Sequence, residues 1–157
     1  PDLLSPMHAI TDISLGCPAL LPNAYCPDVH ERLSLYKRLS SASAIQEIDT
    51  LRAELIDRFG ELPNQGLTLL ENHRLRLQME KIGIKKIEAS PAGIRIQFIP
   101  NPPINSLKII QLIQKDRYTE LSGPDRIKIS PATHQSFVEL PQRIEAIKRF
   151  MAYINAD

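Results

Sequence analysis

The chain has 157 residues, which is the usual length of one globular domain. Its 19 basic and 18 acidic residues give a net charge of +1. This balance excludes a strongly basic protein that coats nucleic acid and a disordered acidic tail. Only 5% of the residues are aromatic and none is tryptophan, so a protein that stacks single-stranded bases on exposed rings would lack the rings.

The N-terminal segment, residues 1–26, contains four prolines and one glycine and is therefore predicted to be a loop-rich lead-in. Within it, Ile13 and Leu15 alternate with polar residues and predict a short strand. The chain has no initiator methionine at its start and no signal-peptide pattern, so we expect it to be cut from a longer polypeptide. No apolar run approaches 18 residues, and we expect no association with a membrane.

Three helices are predicted over residues 27–83. The first spans about 28–41, with Asp28 as its cap or a first-turn residue, and its apolar positions are Val29, Leu33, Leu35, Tyr36 and Leu39. The second repeats apolar residues at three-to-four spacing and ends at Gly60 and Pro63; these residues are Ala44, Ile48, Leu51, Leu55 and Phe59. The third runs from Asn64 to Ile82 and ends at Gly83.

Residues 84–157 change from helical spacing to alternation. A hairpin with a four-residue loop at Ser90–Gly93, a helix over 104–115, a second hairpin over 117–130 and a helix with Pro141 in its first turn form a ββαββα unit. Residues 1–157 are therefore predicted to form a single α+β domain: a short strand, three helices, then the ββαββα unit. The sheet should be mainly antiparallel, with helices covering one face.

Motifs for catalysis and cofactor binding do not occur in the sequence. There is no phosphate-binding glycine loop, no metalloprotease motif and no nucleophile elbow. Cys17, Cys26 and His30 lack the paired spacing of a zinc site, so we expect free thiols in a reducing compartment. We expect no catalytic residues, no bound metal and no cofactor.

Basic residues cluster once along the chain. Five of them fall within thirteen positions, namely Arg74, Arg76, Lys81, Lys85 and Lys86. Such a cluster indicates either a solvated face or a patch that contacts nucleic acid or an acidic partner.

The second predicted helix carries a group of charged residues on the side opposite its apolar positions. Glu54, Asp57 and Arg58 have i, i+3, i+4 spacing and therefore share one face. Asp57 lies one turn from the C-terminus, where the helix dipole disfavours an acid. The group is interpreted either as a simple Glu54–Arg58 ion pair with a tolerated Asp57, or as a charged docking patch for a protein partner.

An ordered set of segments resembles the C-terminal domain of bacterial transcription-repair coupling factors. The segments are Leu21-Pro22, Pro27-Asp28-Val29, residues 32–38 (RLSLYKR), residues 54–60 (ELIDRFG) and Leu62-Pro63. The match is densest over residues 13–87, and over 88–157 it rests on the order of the hairpins and last helix. The resemblance covers most of the chain and implies the C-terminus of a large multidomain protein.

The resemblance implies a cytoplasmic parent that translocates on double-stranded DNA with ATP, displaces stalled RNA polymerase at lesions and recruits the excision-repair protein UvrA. It implies that this domain is regulatory, monomeric when isolated, and not an enzyme. Such a domain docks on the UvrB-like module of its own parent, masks the UvrA-binding surface and restrains the motor. Glu54, Asp57 and Arg58 lie in the best-matching segment and are the expected interdomain contact.

Two other functions remain as alternatives. One is a nucleic-acid-binding module that uses the basic patch from Arg74 to Lys86, which near-zero net charge and few aromatic residues disfavour. The other is a small enzyme, which the missing catalytic motifs disfavour.

Overall fold

The computed structural model describes residues 11–155, which fall into two compact units. The helical unit is Cys17–Leu77, and the sheet unit comprises 1–16 and 78–157, of which 11–16 and 78–155 are described. The elements follow one another as predicted: a short strand, three helices, then ββαββα. The α+β class is therefore confirmed, whereas the grouping of 1–157 into a single domain stays a prediction.

The helices begin and end close to their predicted limits. They are α1 (Val29–Ser41), α2 (Ile45–Phe59) and α3 (Asn64–Glu80). Asp28 is the N-cap of α1, because its carboxylate accepts a hydrogen bond from the backbone N–H of His30 at 2.9 Å. Gly60 ends α2 with a φ of 90°, a conformation that residues with a Cβ rarely adopt.

The core of the helical unit differs from the predicted one at two helices. On α1, Leu35 and Leu39 are buried, while Val29 and Leu33 are 53% and 58% exposed. The sequence of α1 carries apolar residues on two faces, and only packing decides which of them is covered. On α2, Ile48, Leu51 and Leu55 are buried as predicted, but Phe59 is only partly buried against the ring of Tyr25. The cost expected for truncating a fully buried phenylalanine therefore does not apply to it.

The sheet unit contains one five-stranded sheet with the order β1-β2-β3-β5-β4. Its strands are β1 (Asp12–Ser14), β2 (Ile84–Ser90), β3 (Gly93–Phe98), β4 (Thr119–Gly123) and β5 (Arg126–Ile129). Only β1 and β2 pair in parallel, so the sheet is mainly antiparallel as predicted. The first hairpin turns through two residues, Pro91 and Ala92, rather than the predicted four, because both strands extend further into the turn.

The two faces of the sheet have opposite character. Ile87, Ile96 and Ile127 are aligned across β2, β3 and β5 and are buried. The helices α4 (Ser106–Lys115) and α5 (Leu140–Asn155) belong to this inner side, and Phe150 of α5 contacts Phe98 of β3 with ring centres 6.3 Å apart. On the outer face, charged side chains are exposed or half-buried. The alternation of the strands thus yields a covered inner face and an open, polar outer face.

Candidate docking surface

The charged residues singled out on α2 lie on its solvent side. Asp57 is exposed, and the side chains of Glu54 and Arg58 are 32% and 38% exposed. Leu51 and Leu55, on the other side of the helix, are buried in the core of the helical unit. The helix is therefore fixed by its apolar side, and the charged side can be changed without opening the core.

Glu54 and Arg58 form part of an ion-pair network that joins α1 to α2. Arg38 of α1 donates two hydrogen bonds to the Glu54 carboxylate, at 2.8 and 3.0 Å, and Arg58 donates a third at 3.3 Å. Arg58 also pairs with Glu31 of α1. The predicted i,i+4 pair is thus present and has partners on α1 that sequence spacing did not reveal.

The network favours the ionised form of Glu54. The hydrogen bonds from Arg38, aided by its charge, hold the pKa of Glu54 below its ordinary value. Asp57 is different, because within residues 11–155 it has no ion-pair partner within 4 Å. Its exposed neighbour Ile56 adds an apolar side chain to the same surface, with 43% of its area open to solvent. Asp57 is therefore the carboxylate of the group best placed to meet a partner.

The predicted basic patch is divided between the two compact units, and one of its members is buried. Arg76 is buried, with 8% of its area exposed, and its guanidinium donates to the carbonyls of Leu39 and Ala42 at 3.0 and 3.3 Å. Arg74 pairs with Asp49 of α2. The three lysines belong to the other compact unit, where Lys81 and Lys85 are exposed and Lys86 pairs with Glu88 at 3.6 Å. The interpretation of Arg76 as a contact residue is therefore wrong: it stabilises the end of α1.

His73 has a structural environment beside Arg76. The Nε of Arg76 donates to Nδ1 of His73 at 3.3 Å, so this imidazole accepts through an unprotonated nitrogen. Burial, reinforced by the positive charge of Arg76, lowers the pKa of His73 from 6.5 to about 4. The histidine is thus held neutral inside the helical unit.

This low pKa makes stability depend on pH. Between pH 6.5 and 4 the unfolded chain takes up a proton at His73 that the folded chain does not, so the stabilisation present above pH 6.5 is lost as the pH falls. We expect the urea midpoint to drop between pH 7.5 and pH 5, and to drop less in His73→Gln. An equal drop in both proteins would show that His73 is not responsible.

Other candidate groups show no assembled site in the described part of the chain. Cys17 and Cys26 are free thiols, the second of them buried. Residues 11–155 contain no group of three His, Cys, Asp or Glu side chains able to hold a metal ion. Among the same residues, no helix is long and apolar enough to span a bilayer.

One charged surface was missed by sequence reasoning. The outer face of the sheet carries four cations, namely Lys86, Arg95, Arg126 and Lys128. They are spread over three strands and 43 positions, and only Lys86 belongs to the local cluster at residues 74–86. The signal was their alternation with isoleucine in the two hairpins, which places them on the face opposite the core.

Comparison with known proteins places this fold and its charged helix in one family. The family model described as the TRCF domain matches residues 15–109. The chain belongs to this family. The match includes α1, α2 and the whole of the 54–60 segment, and it confirms the resemblance drawn from the ordered motifs.

Individual relatives agree with the family match. The transcription-repair-coupling factors of Escherichia coli K12 and Haemophilus influenzae are 42% and 39% identical to the chain over 142 residues. In each case 90% of the chain aligns, but it spans only 12% of the relative's length. A crystal structure of the C-terminal domain of transcription-repair coupling factor has the same fold, with a TM-score of 0.73, 18% identity and 94% coverage of both chains. The chain thus belongs to the TRCF family and has the fold of that C-terminal domain.

Proposed function

We propose that this TRCF domain is a non-catalytic regulatory module that docks on the UvrB-like module of its parent, masks the surface that binds UvrA and restrains the motor. The parent would work in the cytoplasm on double-stranded DNA and RNA polymerase and would hydrolyse ATP in other domains. The observation that carries the proposal is the solvent-facing group Glu54, Asp57 and Arg58, which lies within the part of the chain that the family model matches.

The physical character of this surface suits a contact that must open. It is small, exposed and charged, with Ile56 as its single large exposed apolar side chain on α2. A tether supplies an effective concentration on the order of mM, so an intrinsic dissociation constant of about 10 μM would keep the contact closed roughly 100:1. A competing partner with about 2.7 kcal/mol of differential affinity could then open it.

The arrangement of the network also explains why docking would be specific. Arg38 and Glu31 hold Glu54 and Arg58 in fixed positions, so the partner meets a preorganised pattern of charge. Asp57, which needs no partner within the described chain, would supply the unpaired carboxylate. A charge pair that is desolvated on docking can cost about 2–5 kcal/mol when one member is removed.

The proposal predicts the behaviour of a triple variant in the full-length parent. Glu54→Ala, Asp57→Ala and Arg58→Ala together should raise basal UvrA affinity and ATPase activity about tenfold or more, because a loss near 2 kcal/mol lowers the closed-to-open ratio from about 100:1 to about 3:1. The fold should lose only about 1–2 kcal/mol, since exposed pairs contribute about 0–1 kcal/mol each. UvrA binding by calorimetry and steady-state ATPase assays measure the effect.

Two variants control this experiment. Glu145→Ala with Arg149→Ala removes an exposed i,i+4 pair from α5, at 3.4 Å, and should leave both activities unchanged. Asp57→Ala alone should move UvrA affinity in the same direction as the triple variant, with no loss of stability. Unchanged UvrA affinity in a folded triple variant would refute the assignment of these residues.

The basic patch supports no second function. Arg76 is buried, Arg74 is ion-paired, and Lys86 lies on the sheet beside Glu88. The alternative of nucleic-acid binding through residues 74–86 is therefore not proposed.

A further inference from the structure

The outer face of the five-stranded sheet is built from two aligned rows of side chains. One row contains Lys86, Gln97 and Arg126, and the other contains Glu88, Arg95 and Lys128, in each case on β2, β3 and β5 in turn. The rows alternate with the buried isoleucine row on the inner face. The charged groups are therefore held by a sheet whose other side is packed, which fixes their spacing.

The centre of this face concentrates positive charge. The two central strands, β3 and β5, present Arg95, Gln97, Arg126 and Lys128 and no carboxylate. Glu88 and Glu120 lie on the flanking strands, and Glu88 pairs with Lys86. Within residues 11–155, none of the three central cations has an ion-pair partner within 4 Å.

The register places two of these cations directly against each other. Arg95 and Lys128 are cross-strand neighbours, an unfavourable like-charge contact, but each also has an acid directly opposite on its other side, Glu88 for Arg95 and Glu120 for Lys128. Arg126 has Gln97 on one side and Gly123 on the other, so no acid faces it across either strand. Of the four cations on this face, Arg126 is the one that the register leaves with no acid opposite it.

A shallow concavity of about 530 Å³ lies over the same residues. Its lining consists of Lys86, Glu88, Arg95, Ile96, Gln97, Ser122, Arg126 and Lys128. Apart from Ile96, which points to the core, every lining residue is polar or charged. Four of them are cations and one is an acid.

We propose that this outer face binds the phosphate backbone of duplex DNA without reading its sequence. Arginine, lysine, glutamine and serine are the side chains that contact phosphates in protein–DNA complexes, and this face offers all four. The proposal uses none of the residues of the α2 docking group and does not depend on the proposed function. Unlike the cluster predicted at residues 74–86, the cations of this proposal share one face of one sheet.

Other anionic partners fit the face less well. A protein partner is held mainly by apolar and aromatic anchors in a charge-depleted centre, whereas the centre here is charged and has no large apolar side chain. A single strand is held by bases stacked on aromatic rings, and no aromatic residue lines this face. The phosphate backbone of a duplex can be bound without apolar anchors and without aromatic rings for stacking.

Three or four neutralised phosphates predict weak, strongly salt-dependent binding. The logarithm of the association constant should fall with the logarithm of salt concentration with a slope of about −3, since each phosphate contributes about −0.9. Anisotropy of a fluorescein-labelled 20-bp duplex, titrated with the 157-residue chain at 50–200 mM salt, measures both the affinity and this slope.

Three variants make the test specific. Arg95→Gln, Arg126→Gln and Lys128→Gln together should weaken binding at least tenfold at about 50 mM salt and reduce the slope to about −1. The control Lys37→Gln, Arg52→Gln and Lys115→Gln removes the same charge from α1, α2 and α4 and should weaken binding less than threefold. Glu88→Gln should tighten binding about twofold, an effect that misfolding would not produce.

Each contrary result would overturn the proposal. The contrary results are an equal loss of duplex affinity in the two triple variants, no binding of the duplex at 50 mM salt, or tighter binding of a dT20 single strand than of the duplex. A 20-residue polyglutamate peptide serves as a second ligand. If the peptide were bound while the duplex is not, and its binding were lost in the Arg95, Arg126 and Lys128 variant but kept in the control, the result would indicate an acidic protein partner instead of DNA. Circular dichroism confirms that every variant compared is folded.

Discussion

Replacement of Arg143 with alanine is expected to destabilise the sheet unit by about 3–5 kcal/mol, the largest effect of any substitution considered for this chain. Arg143 is only 5% exposed, although it lies on α5 among exposed polar residues. Its guanidinium donates to the carbonyls of Leu15, Phe137 and Val138 at 2.6, 2.8 and 2.9 Å. Truncation leaves these acceptors without their charged donor, and buried unpaired acceptors are costly.

The geometry around β1 strengthens this expectation. Gly16 follows Leu15 with a φ of 77°, and a Cβ there would lie 2.6 Å from the carbonyl oxygen of Ala89 and 3.2 Å from Nη1 of Arg143. The chain leaving β1 thus approaches β2 and the guanidinium as closely as glycine permits. Arg143→Ala should therefore loosen the end of β1 as well as the start of α5.

Urea unfolding followed by circular dichroism, with amide hydrogen exchange of β1 and the first turn of α5, measures the loss and locates it. Arg149→Ala on the same helix is the matched control, because Arg149 is exposed and pairs with Glu145 at 3.4 Å; it should cost less than about 1 kcal/mol. Arg143→Lys should lose much of the stability too, since lysine lacks the planar fork that reaches three carbonyls. Similar stabilities for Arg143→Ala and Arg149→Ala would contradict this account.

Arg76→Ala is expected to destabilise the helical unit by about 2–4 kcal/mol. Its guanidinium binds the carbonyls of Leu39 and Ala42 at the C-terminal end of α1, where helix carbonyls lack intrahelical partners and the dipole favours a cation. The substitution also removes the donor to Nδ1 of His73. We therefore expect fraying of the last turn of α1 together with the loss of global stability.

Arg74→Ala provides the comparison for Arg76→Ala. The two arginines are two positions apart on α3, but the pair of Arg74 with Asp49 is solvent-exposed and should contribute about 0–1 kcal/mol. Chemical denaturation of both variants, with amide exchange of residues 38–42, separates the two roles. Equal stabilities of Arg76→Ala and Arg74→Ala would contradict the stabilising role assigned to Arg76.

Sequence reasoning predicted the elements of the fold because their signals are local. Helix caps such as Asp28 and Gly60, and the alternation of isoleucine in the two hairpins, act over a few residues. The sheet order, with β1 in parallel next to β2, depends on pairing between residues more than 70 positions apart. No local pattern encodes such a pairing.

The outward side of α1 was predicted wrongly for a similar reason. Val29 and Leu33 have helical spacing, and so do Leu35 and Leu39; only packing into the core of the helical unit buries the second pair and leaves the first exposed. Arginines present the same difficulty. Arg76 and Arg143 resemble surface residues in sequence, yet both are buried because backbone carbonyls from other elements surround their guanidinium groups.

The candidate docking group was found from sequence because i, i+3, i+4 spacing on one helix is a local property. Its partners on α1 were not, since Arg38 and Glu31 reach Glu54 and Arg58 only after the two helices pack. The outer sheet face was not found because its cations come from three strands.

Competition in trans tests the proposed docking most directly. A parent truncated before this chain is mixed with UvrA, and the 157-residue chain is added at about 100 μM, tenfold above the dissociation constant of about 10 μM assumed for docking. The account predicts that the chain lowers the apparent UvrA affinity of the truncated parent about tenfold and that the variant lacking the Glu54, Asp57 and Arg58 side chains does not. An unchanged UvrA affinity in the presence of the folded chain, or equal competition by the variant, would contradict it.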